Sequence, residues 1–130
     1  MAKSQQIDCE QTYTKRILIV EDDPILGELL LEAFQEEEAY EASHVLSGEM
    51  ALNTLQAAVP ALVLLDYHLP GMNGLELADW LGSQEEFEHI PIVLMSADVP
   101  QEVSSNKHLR TLQKPFALET LLNVIAELLA

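Results

Sequence analysis

The first apolar segment of the chain reads Arg16-Ile-Leu-Ile-Val20 and is followed directly by Glu21-Asp-Asp-Pro24. A short, continuous apolar run with β-branched residues is typical of a strand buried on both faces, which favours a parallel sheet. Aspartate before proline suits a helix start, with Asp23 as the N-cap and Pro24 at the first helical position. The segment therefore predicts a buried strand, an acidic turn and then a helix.

The same succession of strand and helix recurs along the rest of the chain. Such alternation predicts an α/β fold in which helices cover both faces of a parallel sheet. Between the fourth and fifth strands the pattern weakens, and residues 98–103 support one or two helical turns at most. The predicted strands are 16–20, 40–46, 61–65, 91–95 and 111–113, and the predicted helices are 25–37, 48–57, 75–84 and 118–129.

Charge and length exclude several classes of function. The chain has 130 residues, which fits one domain. Six Lys and Arg against 22 Asp and Glu give a net charge of −16, and no Lys or Arg occurs in residues 17–106. Because nucleic acids and anionic lipids are bound by basic faces, we expect no direct nucleic-acid binding and no membrane binding. No apolar run approaches the length of a membrane span.

The N-terminal residues look like a tail rather than part of the domain. Residues 1–14 are polar and lack the apolar core of a signal peptide, so we expect a flexible tail, a domain over residues 15–130 and a cytoplasmic location. The single Cys9 excludes an internal disulfide and a cysteine-based zinc site.

Polar side chains follow four of the predicted strands at their carboxyl ends. Glu21 and Asp22 follow the first strand, Asp66 the third, Ser96 the fourth and Lys114 the fifth. In open α/β sheets these ends border one crevice, so we expect the five side chains to lie close together. Clustered carboxylates suit Mg²⁺, which prefers hard oxygen ligands. A cation, an ammonium and a hydroxyl are also the groups that stabilise a phosphoryl group in transfer, and an aspartate can itself be the nucleophile.

Four motifs in this order resemble those of the receiver domains of two-component response regulators, which are CheY-like. The resemblance covers residues 16–130 and implies a flavodoxin-like, five-stranded parallel sheet of order 2-1-3-4-5 with helices on both faces. It implies a signalling domain that catalyses its own phosphorylation and dephosphorylation and is no turnover enzyme. The motifs are Ile17-Leu-Ile-Val-Glu-Asp-Asp-Pro24, Leu65-Asp-Tyr-His-Leu-Pro-Gly-Met-Asn-Gly74, Val93-Leu-Met-Ser-Ala97 and Lys114-Pro-Phe116.

The resemblance assigns a phosphoacceptor and a magnesium site. It implies that Asp66 accepts a phosphoryl group from a phosphohistidine of a histidine kinase or a histidine phosphotransfer protein. It implies that Asp22, Asp66 and the main-chain carbonyl of His68 bind Mg²⁺ directly, and that Glu21 binds it chiefly through water. Phosphorylation would then switch contacts with a downstream protein.

The resemblance also assigns the phosphoryl-binding side, where the chain departs from the family pattern. Ser96 and Lys114 are expected to bind phosphoryl oxygens, and the peptide bond from Lys114 to Pro115 is expected to be cis. The switch position three residues before the lysine often holds Tyr or Phe in such domains, but here it is Thr111. Since Ser96 and Lys114 are only 18 positions apart, we expect a short or irregular fourth helix within residues 97–110.

Two residues beside the expected site are assigned a further role, and the remaining histidines and Trp80 are not. His68 and Asp98 lie two positions after Asp66 and Ser96, so we hypothesise that they set the lifetime of the phosphorylated state. The other histidines show no ligand spacing and are assigned to the surface or to packing, and Trp80 is assigned to the core or its rim. These histidines are His44, His89 and His108.

Two alternatives compete with a working receiver. One is a scaffold with the receiver fold that binds proteins independently of phosphorylation; no site residue is lost, but Thr111 and the short segment before it leave this open. The other is a phosphatase of the haloacid-dehalogenase type, which needs a second aspartate where this chain has His68. Because the chain ends with the last predicted helix, we expect output through protein contacts or onward phosphotransfer, from a stand-alone regulator or from part of a larger protein.

Overall fold

The computed structural model describes residues 14–98 and 105–130 and contains a five-stranded sheet. All strand pairs are parallel, and the strand order is β2-β1-β3-β4-β5. This confirms the expected flavodoxin-like fold. The strands are β1 (Lys15–Val20), β2 (Tyr40–Val45), β3 (Leu62–Asp66), β4 (Ile92–Ser96) and β5 (Leu109–Gln113), and the helices are α1 (Pro24–Gln35), α2 (Gly48–Ala57), α3 (Gly74–Gly82) and α4 (Leu118–Leu129).

Two expectations fall on parts of the chain outside the described residues. The predicted tail, including Cys9, lies there almost entirely, as do residues 99–104 of the segment predicted to hold a short fourth helix. In the described part of that segment, Asn106 is buried and its amide nitrogen donates to the carbonyl of Ala78 at 2.8 Å. This bond fastens the approach to β5 onto α3. None of the helices in residues 14–98 and 105–130 is long and apolar enough to cross a membrane.

The core consists of two apolar layers, one on each face of the sheet. On β1, Leu18 and Val20 pack with α2 and α3, whereas Ile17 and Ile19 pack with α1 and α4. Every residue of β3 and β4 is buried. Strands enclosed on both faces have no solvent-facing side, which explains why their sequences are continuously apolar rather than alternating.

The turns from strand to helix are fixed by side-chain caps. The Asp23 carboxylate accepts from the amide of Ile25 at 3.0 Å, with Pro24 in the first turn, as the sequence predicts. Asn73 and Glu76 cap α3 reciprocally, each accepting from the other's amide at 2.9 Å. Such caps satisfy amides at the helix start that have no partner within the helix. They hold the loops at the carboxyl edge of the sheet.

The predicted boundary of the last strand is wrong by two residues. Strand β5 begins at Leu109 rather than Thr111, because Leu109 and Arg110 pair with Ile92 and Val93 of β4. Their exposed or half-exposed side chains give no strand signal in the sequence. Pairing with a neighbouring strand therefore extends β5 beyond its local pattern.

Candidate functional site

Three carboxylates meet at the carboxyl edge of the sheet. Glu21 and Asp22 follow β1, and Asp66 ends β3, the strand that pairs with β1. One carboxylate oxygen from each lies within 4.8 Å of the others. Glu21 and Asp66 are buried, with 1% and 3% of their surface exposed, whereas Asp22 is exposed. The cluster therefore has a buried floor and one carboxylate that faces solvent.

The ammonium of Lys114 reaches into this cluster. Its Nζ donates to Oδ1 of Asp66 at 2.9 Å and to Oε1 of Glu21 at 3.4 Å. The main-chain amide of Lys114 donates to the carbonyl of Ser96 at 2.7 Å, which continues the pairing of β5 with β4. The peptide bond from Lys114 to Pro115 is cis, as the resemblance implied. One ammonium thus binds two of the three carboxylates.

Burial and charge perturb two groups of the cluster. Burial raises the pKa of Glu21, and the charge of Asp66 raises it further, although the amide of Asp23 and the ammonium of Lys114 act in the opposite direction. Burial alone would lower the pKa of Lys114, but its hydrogen bond to Asp66 and the charges of Asp66 and Glu21 outweigh this and raise it. Lys114 therefore remains an ammonium at neutral pH.

The donor set fits a hard divalent cation. All three groups offer carboxylate oxygens, which Mg²⁺ prefers to nitrogen or sulfur. With its three acids ionised, the cluster keeps an excess of negative charge over the one ammonium. Exposed Asp22 leaves a side open to water, and Mg²⁺ usually keeps several water ligands.

The loop after β3 holds the main chain of Asp66 in place. The amide of Gly74 donates to the carbonyl of Tyr67 at 2.7 Å, and a Cβ at Gly74 would lie 2.3 Å from the carbonyl oxygen of Asp66. Only glycine permits this close approach. His68 is exposed, and its ring packs edge-on against that of Tyr67 at 4.9 Å between centroids. Gly71 has a φ of 80°, which also favours glycine.

The β4 side of the site is arranged differently. Ser96 is buried at the end of β4, and its hydroxyl donates to the main-chain carbonyl of Asp98. The main-chain amide of Asp98 lies 3.3 Å from the hydroxyl oxygen of Ser96. Asp98 and Thr111 are exposed. The structure thus brings together Glu21, Asp22, Asp66 and Lys114, whereas the Ser96 hydroxyl is turned towards its own loop.

One contact of the site was not foreseen from the sequence. His44 on β2 lies with its Nε2 2.8 Å from the main-chain oxygen of Glu21. The assignment of His44 to surface or packing missed this bond, because the two residues are far apart in the sequence. The only local signal is Gly27, an unusual glycine inside a predicted helix. The rings of His89 and His108 pack together at the opposite edge of the sheet, and Trp80 lies at the rim of the core against Phe87.

Comparison with known proteins identifies the family. The family model described as response regulator receiver domain matches residues 17–126. The chain belongs to this family. It is 37% identical to the polar-differentiation response regulator DivK of Brucella ovis over 84 residues, which are 65% of this chain and 68% of that protein. The expected family and its fold are therefore confirmed.

Solved structures of receiver domains superpose closely on the chain. The response regulator TrrA of Thermotoga maritima, solved in complex with Mg²⁺ and BeF, has a TM-score of 0.77 at 33% identity, over 88% of this chain and 98% of that one. The receiver domain of a signal transduction histidine kinase from Syntrophus aciditrophicus has a TM-score of 0.79 at 28% identity, over 88% and 89%. Receiver domains interact with histidine kinases or phosphotransfer proteins and are generally not turnover enzymes.

Proposed function

We propose that this receiver domain takes a phosphoryl group onto Asp66 from a phosphohistidine of a histidine kinase or a histidine phosphotransfer protein. The observation that carries the proposal is the Lys114 ammonium 2.9 Å from the buried Asp66 carboxylate, beside Glu21 and Asp22. A buried carboxylate at a crevice, next to a cation and further acids, has the surroundings of an acyl-phosphate acceptor. The phosphorylated state then switches contacts with a partner protein.

The transfer step balances with groups present on the two proteins. A carboxylate oxygen of Asp66 forms a bond to phosphorus as the bond from phosphorus to the donor's imidazole nitrogen breaks. That nitrogen keeps the electron pair and takes up a proton. Lys114 is close enough to shift from the carboxylate to an oxygen of the arriving phosphoryl group, whose charge its ammonium then balances.

The acidic cluster is proposed to hold Mg²⁺ during this step. Asp22 and Asp66 would bind it directly together with the main-chain carbonyl of His68, and Glu21 chiefly through water. Bound there, Mg²⁺ would neutralise charge on the phosphoryl oxygens. The gathered carboxylates support this assignment, as does the similarity to TrrA, which was solved in complex with Mg²⁺.

The hydroxyl side is proposed to complete the site only after phosphorylation. Ser96 would release the Asp98 carbonyl and turn its hydroxyl to a phosphoryl oxygen. The aromatic partner that often accompanies this movement is replaced by exposed Thr111, so the movement would be transmitted by the loop rather than by a ring. We also propose that residues 15–130 form this domain, that residues 1–14 are a flexible tail, and that the protein works in the cytoplasm.

Intact mass after incubation with acetyl phosphate and Mg²⁺ tests the proposal. We expect one phosphoryl adduct, a gain of about 80 Da, that needs Mg²⁺ and is lost in Asp66→Asn. Asp23→Asn is the matched control: it changes a neighbouring exposed acid that caps α1, and asparagine caps equally well. If wild type gave no adduct and bound no beryllofluoride, the phosphorylation-independent scaffold would be the better proposal.

A further inference from the structure

A histidine from the edge strand of the sheet is bonded to the acidic turn. The Nε2 of His44 lies 2.8 Å from the main-chain oxygen of Glu21. A carbonyl oxygen only accepts, so Nε2 must carry the hydrogen and donate it. The His44 side chain is half-buried, so part of the ring is enclosed by protein.

The enclosure comes from helix α1 and involves its glycine. A Cβ at Gly27 would lie 2.1 Å from Cε1 and 2.2 Å from Nε2 of His44, closer than side-chain atoms approach. Glycine inside a helix is unfavourable relative to alanine. Gly27 is itself buried and makes room for the imidazole. Glycine therefore stands at this helix position instead of a better helix former, because the His44 ring occupies the space that a side chain would need.

The carbonyl that His44 binds is part of the peptide unit linking Glu21 to Asp22. The amide of Glu21 is already fixed, since it donates to the carbonyl of Val45 at 3.1 Å. Its side chain is fixed as well, because Oε2 accepts from the amide of Asp23 at 3.1 Å. The bond from His44 adds a contact at the third polar group of Glu21, its carbonyl. This carbonyl lies in the plane of the peptide that leads to Asp22.

We propose that His44 is a positioning residue for the cation site: its Nε2–H orients the Glu21–Asp22 peptide and thereby the carboxylate of Asp22. The proposal rests on the proposed binding of Mg²⁺ by the acidic cluster. Groups that orient metal ligands contribute to affinity without touching the metal. His44 acts in this way through main chain rather than through a ligand side chain.

Titration calorimetry with Mg²⁺ tests the role of the donor. His44→Phe keeps an aromatic ring beside Gly27 but has no N–H, and we expect it to weaken Mg²⁺ binding about three- to tenfold. His44→Gln restores a donor of similar reach and is expected to recover part of the loss. His108→Phe is the matched control, the same change at the opposite edge of the sheet, and is expected to leave the affinity unchanged.

Thermal unfolding without Mg²⁺ separates positioning from stability. If His44→Phe lowered the melting temperature but bound Mg²⁺ as tightly as wild type, the histidine would be merely structural and the proposal overturned. If wild type bound no Mg²⁺, the proposed metal site itself would fail, and the inference with it. Equal losses in His44→Phe and His44→Gln would show that a restored donor does not recover Mg²⁺ affinity, which also overturns the proposal.

A second pair of variants tests the part played by Gly27. Gly27→Ala introduces the methyl group that the ring excludes, so we expect it to weaken Mg²⁺ binding about as much as His44→Ala does. In His44→Ala the space is empty, and adding Gly27→Ala should cause no further loss of affinity. Independent, additive losses in the double variant would contradict the proposal, because the two residues would then not act through one contact.

Discussion

At the carboxyl edge of the sheet, the β1–β3 side and the β4 side hold their polar groups in different ways. On the first side, Glu21 and Asp66 are buried and joined by the Lys114 ammonium across contacts that are distant in sequence. On the second, the Ser96 hydroxyl binds main chain only two residues away, at exposed Asp98. The charged side is assembled by the sheet, whereas the Ser96 hydroxyl is held by local contacts with Asp98, which we propose it gives up on phosphorylation.

This difference predicts that cation binding and phosphorylation respond to different substitutions. Asp22→Asn removes the exposed carboxylate that we propose as a Mg²⁺ ligand, and we expect it to weaken Mg²⁺ binding by about 100-fold and to abolish the adduct from acetyl phosphate. Ser96→Ala changes only the hydroxyl side, and we expect Mg²⁺ affinity within about twofold of wild type but phosphorylation about tenfold slower. Calorimetry and intact mass measure the two effects.

The two sides could also act as one unit, which the same variants would reveal. A loss of Mg²⁺ affinity in Ser96→Ala as large as that in Asp22→Asn would show that the hydroxyl already belongs to the cation site. Asp23→Asn serves as control for both measurements, since it alters an acid of the same turn without altering the cluster. It should leave both binding and phosphorylation unchanged.

The next largest effect is expected from the ammonium itself. Lys114→Met keeps the length and apolar stem of the side chain but leaves the Asp66 and Glu21 carboxylates without a counter-charge. Because the lysine is 26% exposed, we expect a loss of about 1–3 kcal/mol in the free energy of unfolding, less than for a fully buried pair. Urea unfolding without metal measures it.

Added magnesium and a second lysine variant test the same ion pairs. Mg²⁺ should raise the stability of Lys114→Met more than that of wild type, since the cation no longer competes with an ammonium for the same carboxylates. Lys107→Met removes an exposed lysine from the opposite edge and should change stability little. Equal stability of Lys114→Met and wild type would mean that the ion pairs only balance the cost of burial.

A smaller effect is expected from pH, and it concerns Glu21. Its pKa is raised above the ordinary value of 4.5, so the folded state holds this proton more tightly than the unfolded state does. The contribution of this proton to the stability of the fold is fully present below the ordinary pKa of glutamate. It is lost as the pH rises through the raised pKa. Relative to Glu21→Gln, which is neutral at every pH, wild type should therefore lose stability as pH rises from 4 towards neutrality.

Urea unfolding of both proteins across this pH range, without metal, measures the difference. The Gln variant carries the same acids outside the cluster, so their contribution cancels in the comparison. Added Mg²⁺ should flatten the difference, because a cation stabilises the ionised carboxylate. A difference that stayed constant would show that burial and the Lys114 ammonium cancel in their effect on the pKa of Glu21. A difference that moved in favour of wild type with rising pH would show that the ammonium outweighs burial.

The sequence was sufficient to predict which carboxylates and which lysine meet on the charged side. It was not sufficient to predict how the Ser96 hydroxyl is bonded, and the reason is physical. Asp66 and the pair after β1 are placed by the sheet: once two buried parallel strands are adjacent, the residues that end them must meet. The cap at Asp23 was equally predictable, since it depends on residues within one turn. In each case a periodic or local pattern determines the position.

The features that were missed depend on contacts without a local pattern. The early start of β5 at Leu109 follows from pairing with β4, and the direction of the Ser96 hydroxyl follows from the path of the next two residues. The bond from His44 to Glu21 needs β2 beside β1 and a glycine on α1 in register with the ring. Such coincidences of three elements leave no periodic signal in the sequence.

The smallest expected effects concern how long phosphorylation lasts. His68 and Asp98 are both exposed. His68 lies two residues beyond Asp66 on the charged side, and Asp98 lies two residues beyond Ser96 on the hydroxyl side. Both offer groups that can orient or accept a proton from water attacking the acyl phosphate. We therefore expect His68→Ala and Asp98→Ala each to lengthen the half-life of phosphorylated Asp66, by about two- to tenfold.

Decay of the phosphoryl adduct, followed by intact mass after removal of the phosphodonor, measures these half-lives. His89→Ala and Glu86→Ala are matched controls, an exposed histidine and an exposed acid in the segment that leads into β4, away from the cluster. Because the Ser96 hydroxyl binds Asp98 through its main chain, which alanine retains, Asp98→Ala and His68→Ala should both alter decay without changing the rate of phosphorylation. Half-lives equal to wild type in both variants would show that neither His68 nor Asp98 controls the access of water to the acyl phosphate.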